Sequence, residues 1–332
     1  MNHKQKNILV TGGAGYVGSV LVPKLLKKGY RVKVIDLYIY GKHVLDEVKN
    51  HPGLQQVKGD IRDRALLEKI IPGTDAVIHL ACISNDPSYE LDPLLSKSIN
   101  YDAFLDLVDV SKKSGVGLFV FASSSSVYGV KKEENVTETL PLEPLTDYSK
   151  YKVLCEEFLL KNQTPEFTCT VIRPATVCGF SPRMRLDLTV NILTANALNT
   201  NKITVFGGGQ KRPNIHIEDI TDYYVKLLEV PKEKIAGKIY NAGYENYTVM
   251  DLANMVKETV SAHVPIETVP TKDNRSYHIS SEKIKKELGL IPAKTIRDAI
   301  SDIKIAFETK RIVDWQDINY YNVRKMKSIG LK

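Results

Sequence analysis

Tyr148 and Lys152 stand four residues apart in Tyr148-Ser149-Lys150-Tyr151-Lys152. On a helix they share one face. A free tyrosine titrates near 10 and is a poor base at neutral pH. A neighbouring ammonium favours its phenolate. Such a pair can take the proton of an alcohol while hydride leaves the same carbon. The chemistry then needs a hydride acceptor, and Thr11-Gly12-Gly13-Ala14-Gly15-Tyr16-Val17-Gly18 can hold one. It contains G-x-G-x-x-G at Gly13, Gly15 and Gly18, with a second spacing at Gly12, Gly15 and Gly18. Glycine permits the tight turn, lets backbone N–H groups approach a pyrophosphate, and lets helix and strand pack closely. The helix after the turn adds its orphan donors and dipole. Asp36, 18 residues after Gly18, ends the next apolar run. A carboxylate there accepts hydrogen bonds from a ribose 2′-hydroxyl and repels a 2′-phosphate, which selects NAD over NADP. Ser123-Ser124-Ser125-Ser126 comes after a later apolar run and can offer a hydroxyl to a reacting oxygen.

These groups need a frame that brings them together. Asn7–Thr11, Arg31–Leu37, Asp75–Ala81, Gly117–Ala122 and Thr168–Arg173 read as short buried strands. Between them, helical spacing runs over Val17–Lys28, from Asp63 to Ile71, over Pro93–Lys113 and over Thr146–Lys161. Strands alternating with helices predict an α/β fold: a doubly wound parallel sheet of the Rossmann type. Pro23 interrupts the first helical pattern without a local reason. After Pro174 strands become sparser and loops longer. We therefore expect a dinucleotide-binding domain over residues 1–180 and mainly a smaller α/β substrate lobe over 181–332, with some segments returning to the main sheet.

The chain has 332 residues, 43% of them apolar, and a net charge of +7. Its lysines are dispersed, so the charge reads as a solvated surface and not as a nucleic-acid face. No apolar run approaches the roughly 18 residues that span a bilayer, and the first is too short for a secretion signal, so a cytoplasmic location is expected. Cys82, Cys155, Cys169 and Cys178 form no Cys-x-x-Cys pair, which argues against zinc and a redox dithiol.

In order and spacing, the glycine turn, Asp36, Gly59-Asp60-Ile61, His79-Leu80-Ala81-Cys82, Ser123–Gly129, Tyr148-x-x-x-Lys152 and Arg173-Pro174 make the chain similar to the extended short-chain dehydrogenase/reductases. More narrowly it resembles their nucleotide-sugar epimerase/dehydratase family, from about Asn7 to Phe307. The resemblance implies NAD as cofactor and a nucleoside-diphosphate sugar as substrate. It implies cofactor contacts at Gly12, Gly15, Tyr16, Val17 and Asp36. Asp60 and Ile61 would flank the adenine, and Leu80 and Ala81 would line the cleft. Asn100, Ser123, Arg173 and Ala175 would lie along the cofactor. Ser124 would be the catalytic hydroxyl and Tyr148 the base. Lys152 would tune Tyr148 and bind the nicotinamide ribose. Ser125, Asn191, Arg212 and Arg275 would meet the substrate, the last two at its diphosphate. Arg183 and Arg185, in Ser181–Leu188, either contact substrate or line the boundary between the lobes. His216 reads as structural. A homodimer through 93–113 and 146–161 is implied as well.

Members share hydride transfer at a sugar carbon, usually C4, and differ in the later steps. A 4,6-dehydratase needs an acid and a base, typically Asp and Glu at the two positions after the catalytic hydroxyl. Here those positions hold Ser125 and Ser126. Asp36 disfavours an NADPH-consuming keto reductase. C4-epimerase is the leading reading, with NAD-dependent 4-dehydrogenase or 4-keto reductase as the alternative. Ser181–Asn191 is more specialised than the usual substrate loop and points to a less common sugar. An NAD-binding regulator without turnover would usually lack the tyrosine, the lysine or the glycines, and all are present.

Overall fold

The computed structural model describes residues 6–271, 276 and 278–331. Twelve strands run in chain order among them. They are β1 (Asn7–Thr11), β2 (Arg31–Asp36), β3 (Leu54–Lys58), β4 (Ala76–His79), β5 (Leu118–Ala122), β6 (Thr168–Pro174), β7 (Thr176–Cys178), β8 (Ile203–Phe206), β9 (Lys211–His216), β10 (Lys238–Ala242), β11 (Glu245–Thr248) and β12 (Ile266–Val269). Seven of them form one parallel sheet in the order β10-β6-β5-β4-β1-β2-β3. Alternate residues feed two cores. Leu9, Ile35, Val77, Phe119 and Val171 face one side, and Ile8, Val10, Val34, Ile78 and Val120 the other. Burial on both faces is why these strands read as continuous apolar runs.

Helices α1 (Gly18–Lys27), α2 (Arg64–Ile70), α3 (Asp86–Tyr89), α4 (Pro93–Lys97), α5 (Ala103–Lys113) and α6 (Asp147–Lys161) connect the first six strands. Pro23 lies inside α1, where Leu21, Val22, Leu25 and Leu26 are buried. Their packing offsets the backbone bond that proline removes. The run read as one helix over 93–113 is broken by a π-helical turn at Ser98–Asp102. Asn100 sits in that turn. Its Oδ1 accepts from Ile83 N (2.8 Å) and its Nδ2 donates to Ile83 O (2.9 Å), tying the turn to the loop after β4.

Beyond residue 180 come α7 (Thr189–Thr200), α8 (Ile217–Glu229), α9 (Lys232–Ile235), α10 (Val249–Val260), α11 (Glu282–Leu288), α12 (Ile296–Glu308) and α13 (Asn322–Ile329). The sheet β12-β8 lies in this half, β9 and β11 form a second small sheet with β7 from just before residue 180, and β10 joins the main sheet beside β6. Leu193, Leu252, Val256 and Ile300 close the core of α7, α10 and α12.

Candidate active site

Strand order reverses between β1 and β4. The loops leaving these neighbours diverge and open a crevice at their carboxyl ends, where ligands bind in such sheets. The two loops nearly touch. Gly12 has φ +72°, and a Cβ on it would lie 2.7 Å from the backbone N and Cα of Ala81. A Cβ on Gly18 would come within 2.5 Å of the Gly12 carbonyl oxygen. Only glycine leaves the turn this flat, so its backbone is open to a pyrophosphate. His79 joins β4 to β1 beneath the turn, with Nδ1 2.7 Å from Thr11 Oγ1. Burial, helped by nearby Lys152, pushes its pKa down to about 3, so it stays neutral and braces the floor. Asp36 braces the turn from the other side, accepting from Ala14 N (3.0 Å) and Tyr38 N (2.7 Å), and its side of the strand still lines the crevice.

The crevice measures about 480 Å³. Gly12, Gly15, Tyr16, Val17, Asp36, Asp60, Ile61, Leu80, Ala81 and Ala175 all line it. So do Ser123, Ser124, Tyr148, Lys152, Arg185 and Arg212. Residues separated by most of the chain therefore share one space.

The half of the crevice that holds Tyr148 and Lys152 is built by α6. The Thr146 hydroxyl caps the helix, accepting from Ser149 N (3.3 Å), and Tyr148 and Lys152 lie in the first two turns. Lys152 is buried and donates to the β5 carbonyl of Ala122 at 2.7 Å. Its Nζ lies 4.8 Å from the Phe121 ring centroid and 5.8 Å from that of Tyr148. Tyr148 packs edge-on against Tyr89, at 6.5 Å between centroids. Ser124 enters a hydroxyl chain. Its Oγ lies 2.9 Å from Ser126 Oγ, which accepts from Ser149 Oγ at 3.0 Å. Ser149 Oγ lies 3.0 Å from Thr146 Oγ1, which donates to Asp86 Oδ1 at 2.6 Å. The chain orients Ser124 toward the crevice and ends on a carboxylate that also lines it.

The family model for the NAD dependent epimerase/dehydratase family matches residues 8–243. The chain belongs to that family. It is an enzyme of the extended short-chain dehydrogenase/reductase type, and its cofactor is NAD. UDP-glucose 4-epimerase of Lactobacillus helveticus is 28% identical over 307 residues, covering 86% of this chain and 92% of that protein. UDP-glucuronic acid decarboxylase 1 of Arabidopsis thaliana is also 28% identical, over 312 residues, covering 90% of this chain and 69% of that protein. The crystal structure of DesIV, a dTDP-glucose 4,6-dehydratase from Streptomyces venezuelae with NAD bound, superposes with a TM-score of 0.83 at 25% identity, covering 92% of this chain and 98% of that one. The family's fold and NAD dependence are thus common ground among relatives that run three different reactions.

Several residues expected at the cofactor or the substrate lie behind the crevice. Arg173 is fully buried and pairs with Glu156 of α6, Nη2 to Oε2 at 2.6 Å. Its Nη1 donates to Tyr128 Oη at 2.7 Å, and Ser123 Oγ donates to the same Glu156. Arg173 thus fastens β6 to the helix that carries Tyr148, while its neighbours Pro174 and Ala175 line the crevice. Asn100 holds the Ile83 backbone and does not line the crevice. Ser125 is buried, because the 3-10 turn over Ser125–Tyr128 directs Ser126 to the crevice instead. Asn191 is buried and holds Tyr16 Oη (3.0 Å) and the Arg185 carbonyl (2.8 Å). Arg275 lies outside the described residues. His216 caps α8, with Nε2 3.1 Å from Asp302. Among the described residues no cluster could hold a metal ion, and no helix is long and apolar enough to cross a membrane.

Sequence reading missed Tyr40, Ser84, Asp86, Asp187 and Asn322, all at the crevice. Asp187 had a signal, since it stands two residues from Arg185 and pairs with it, Nε to Oδ1 at 2.9 Å. Asn322 had none. It lies beyond the stretch that resembles the family, and folding alone brings it to Ser84 Oγ (3.0 Å).

Proposed function

We propose that the protein is an NAD-dependent nucleotide-sugar C4-epimerase. The observation that carries this reading is the company Ser124 keeps. Tyr148, Lys152 and Ser124 line one crevice with the glycine turn, and the side chain directed inward just after Ser124 is Ser126, a hydroxyl within a hydroxyl chain. A hydroxyl of ordinary acidity does not supply the acid/base pair that elimination of water needs. Gly12 and Gly18, where any Cβ would meet backbone, fit the cofactor's pyrophosphate. When bound, NAD accepts hydride from C4 and gives it back.

Tyr148 takes the proton of the C4 hydroxyl and returns it after the 4-keto sugar has turned. Lys152, fixed by the Ala122 carbonyl, supplies the positive charge that favours the tyrosinate. Ser124 donates to the C4 oxygen. Arg185 and Arg212, on the lobe side of the crevice, face the nucleotide sugar. A nucleoside-diphosphate sugar is supported by the relatives, which include proteins named for UDP-glucose, UDP-glucuronic acid and dTDP-glucose.

The test is a screen of UDP-, GDP-, CDP- and dTDP-sugars with NAD, read by NMR. We expect inversion at C4 without net NADH. Loss of carbon dioxide, loss of water, or NADH formed in proportion to product would replace epimerisation with decarboxylation, dehydration or dehydrogenation.

We further infer a homodimer through α4, α5 and α6. Leu94 on α4 is 82% exposed and Leu154 on α6 is 40% exposed, which suits burial against a second copy. Light scattering at micromolar concentration should give twice the chain mass; a monomer refutes it. The four free cysteines support a reducing, cytoplasmic setting.

A further inference from the structure

Arg183 lines the crevice, yet it is only 3% exposed. Every group that holds it is neutral. Its guanidinium carbon lies 3.5 Å from the Tyr40 ring centroid. One Nη donates to Asn322 Oδ1 and the other to the Met184 carbonyl at 3.3 Å. Its Nε has no hydrogen-bond partner. The nearest acid of its segment, Asp187, is engaged by Arg185 through both oxygens. Asp36, the other carboxylate on this wall, acts on the guanidinium only through space, its hydrogen bonds going to the amides of Ala14 and Tyr38; among the described residues, no carboxylate is hydrogen-bonded to Arg183. Burial pushes the pKa of Arg183 down to about 10, with the like charge of Arg185 acting in the same direction.

A buried charge without a hydrogen-bonded counterion is costly, and a donor left unpaired adds to that cost. Both costs vanish when an anion enters. The position narrows which anion. The segment bearing Arg183 is stitched to the start of α1. Ser181 Oγ donates to the Tyr16 carbonyl at 2.7 Å and lies 2.8 Å from Ser19 Oγ, and the Arg183 amide reaches Ser19 Oγ at 3.4 Å. Tyr40, on which the guanidinium stacks, lies four residues past Asp36. The arginine therefore sits beside the glycine turn, between the end of β2 and the first turn of α1.

We propose that Arg183 forms a second, cationic wall of the cofactor's diphosphate site, facing the backbone donors of the glycine turn. The turn offers N–H groups and a helix dipole, and Arg183 offers the full charge that they lack. The charge comes from a segment 165 residues downstream of the turn, so the site is complete only when the second half of the chain is folded against the first. This inference rests on the NAD reading and deepens it.

Two diphosphates enter the crevice, and calorimetry on the full-length protein separates them. Wild type and Arg183→Met are titrated with NAD, ADP, adenosine and UDP. We expect the variant to lose about tenfold or more in affinity for NAD and ADP, the range of a charge-assisted hydrogen bond, with adenosine and UDP unchanged. The rise in Tm caused by saturating NAD should shrink, while the Tm without ligand holds or increases, because a buried charge has gone and no hydrogen-bonded ion pair is broken. Unchanged affinity for NAD overturns the proposal. So does a loss confined to UDP, which would assign the arginine to the substrate's diphosphate. Failure of the wild type to bind NAD would instead remove the functional reading. If Arg183→Met does not fold, Arg183→Lys keeps the charge without the fork; it should weaken NAD at least threefold, and equal binding overturns the proposal.

Discussion

Replacing Tyr148 with phenylalanine lowers kcat by about 10²–10⁴-fold, the usual worth of a positioned proton-transfer group, and leaves NAD bound. The ring stays where Tyr89 and Lys152 hold it, at 6.5 Å and 5.8 Å from the Tyr148 centroid. Only the hydroxyl proposed to handle the sugar proton is removed. Lys152 keeps its bond to the Ala122 carbonyl, so its own place in the crevice is undisturbed. Turnover is followed by NMR on whichever sugar nucleotide the screen identifies, and bound NAD is measured after acid release. Activity within threefold of wild type would remove Tyr148 from the mechanism. Loss of NAD together with activity would show that the substitution damaged the site as a whole.

Replacing Glu156 with alanine destabilises the protein by about 3–5 kcal/mol, the cost of breaking a buried ion pair from one side. Arg173 and Glu156 are 2% and 3% exposed at their side chains, and two of the guanidinium's nitrogens reach the carboxylate. Without Glu156, Arg173 keeps only the Tyr128 hydroxyl, and the Ser123 hydroxyl loses its acceptor. In thermal unfolding this appears as a fall in Tm of roughly 10 °C. The double replacement Glu156→Leu with Arg173→Met removes both charges and should recover much of the loss. A single variant that loses less than about 1 kcal/mol would show that water or a rearranged partner satisfies the arginine. The prediction matters for function because this pair joins β6, which leads to Pro174 and Ala175, to the helix that carries Tyr148 and Lys152.

Both predictions concern residues whose types were legible in the chain, but with different success. The spacing of Tyr148 and Lys152 is a helix-face signal, and the Thr146 cap places that helix. Arg173 closes an apolar strand, and only the family resemblance implied a place for it along the cofactor. Its direction depends on Glu156, 17 residues earlier on another element, and no local pattern encodes that meeting. Asn100 was placed on a regular helix, where it would turn toward the cofactor. The π-turn at Ser98–Asp102 shifts the phase of that helix and turns the amide to the Ile83 backbone.

The amino-acid sequence carried the parallel α/β frame, the glycine turn, Asp36 and the Tyr148–Lys152 pair. Those features rest on short-range physics: apolar runs, capping, helical spacing and the absence of a Cβ at Gly12 and Gly18. It did not carry which side chains face the crevice and which stand behind it. Ser126 and not Ser125 faces inward, Asn191 secures Tyr16, and Arg183 meets Asn322 across 139 residues of chain. These are contacts between segments that approach one another only when the core closes, so their energies belong to packing and not to any local run of residues.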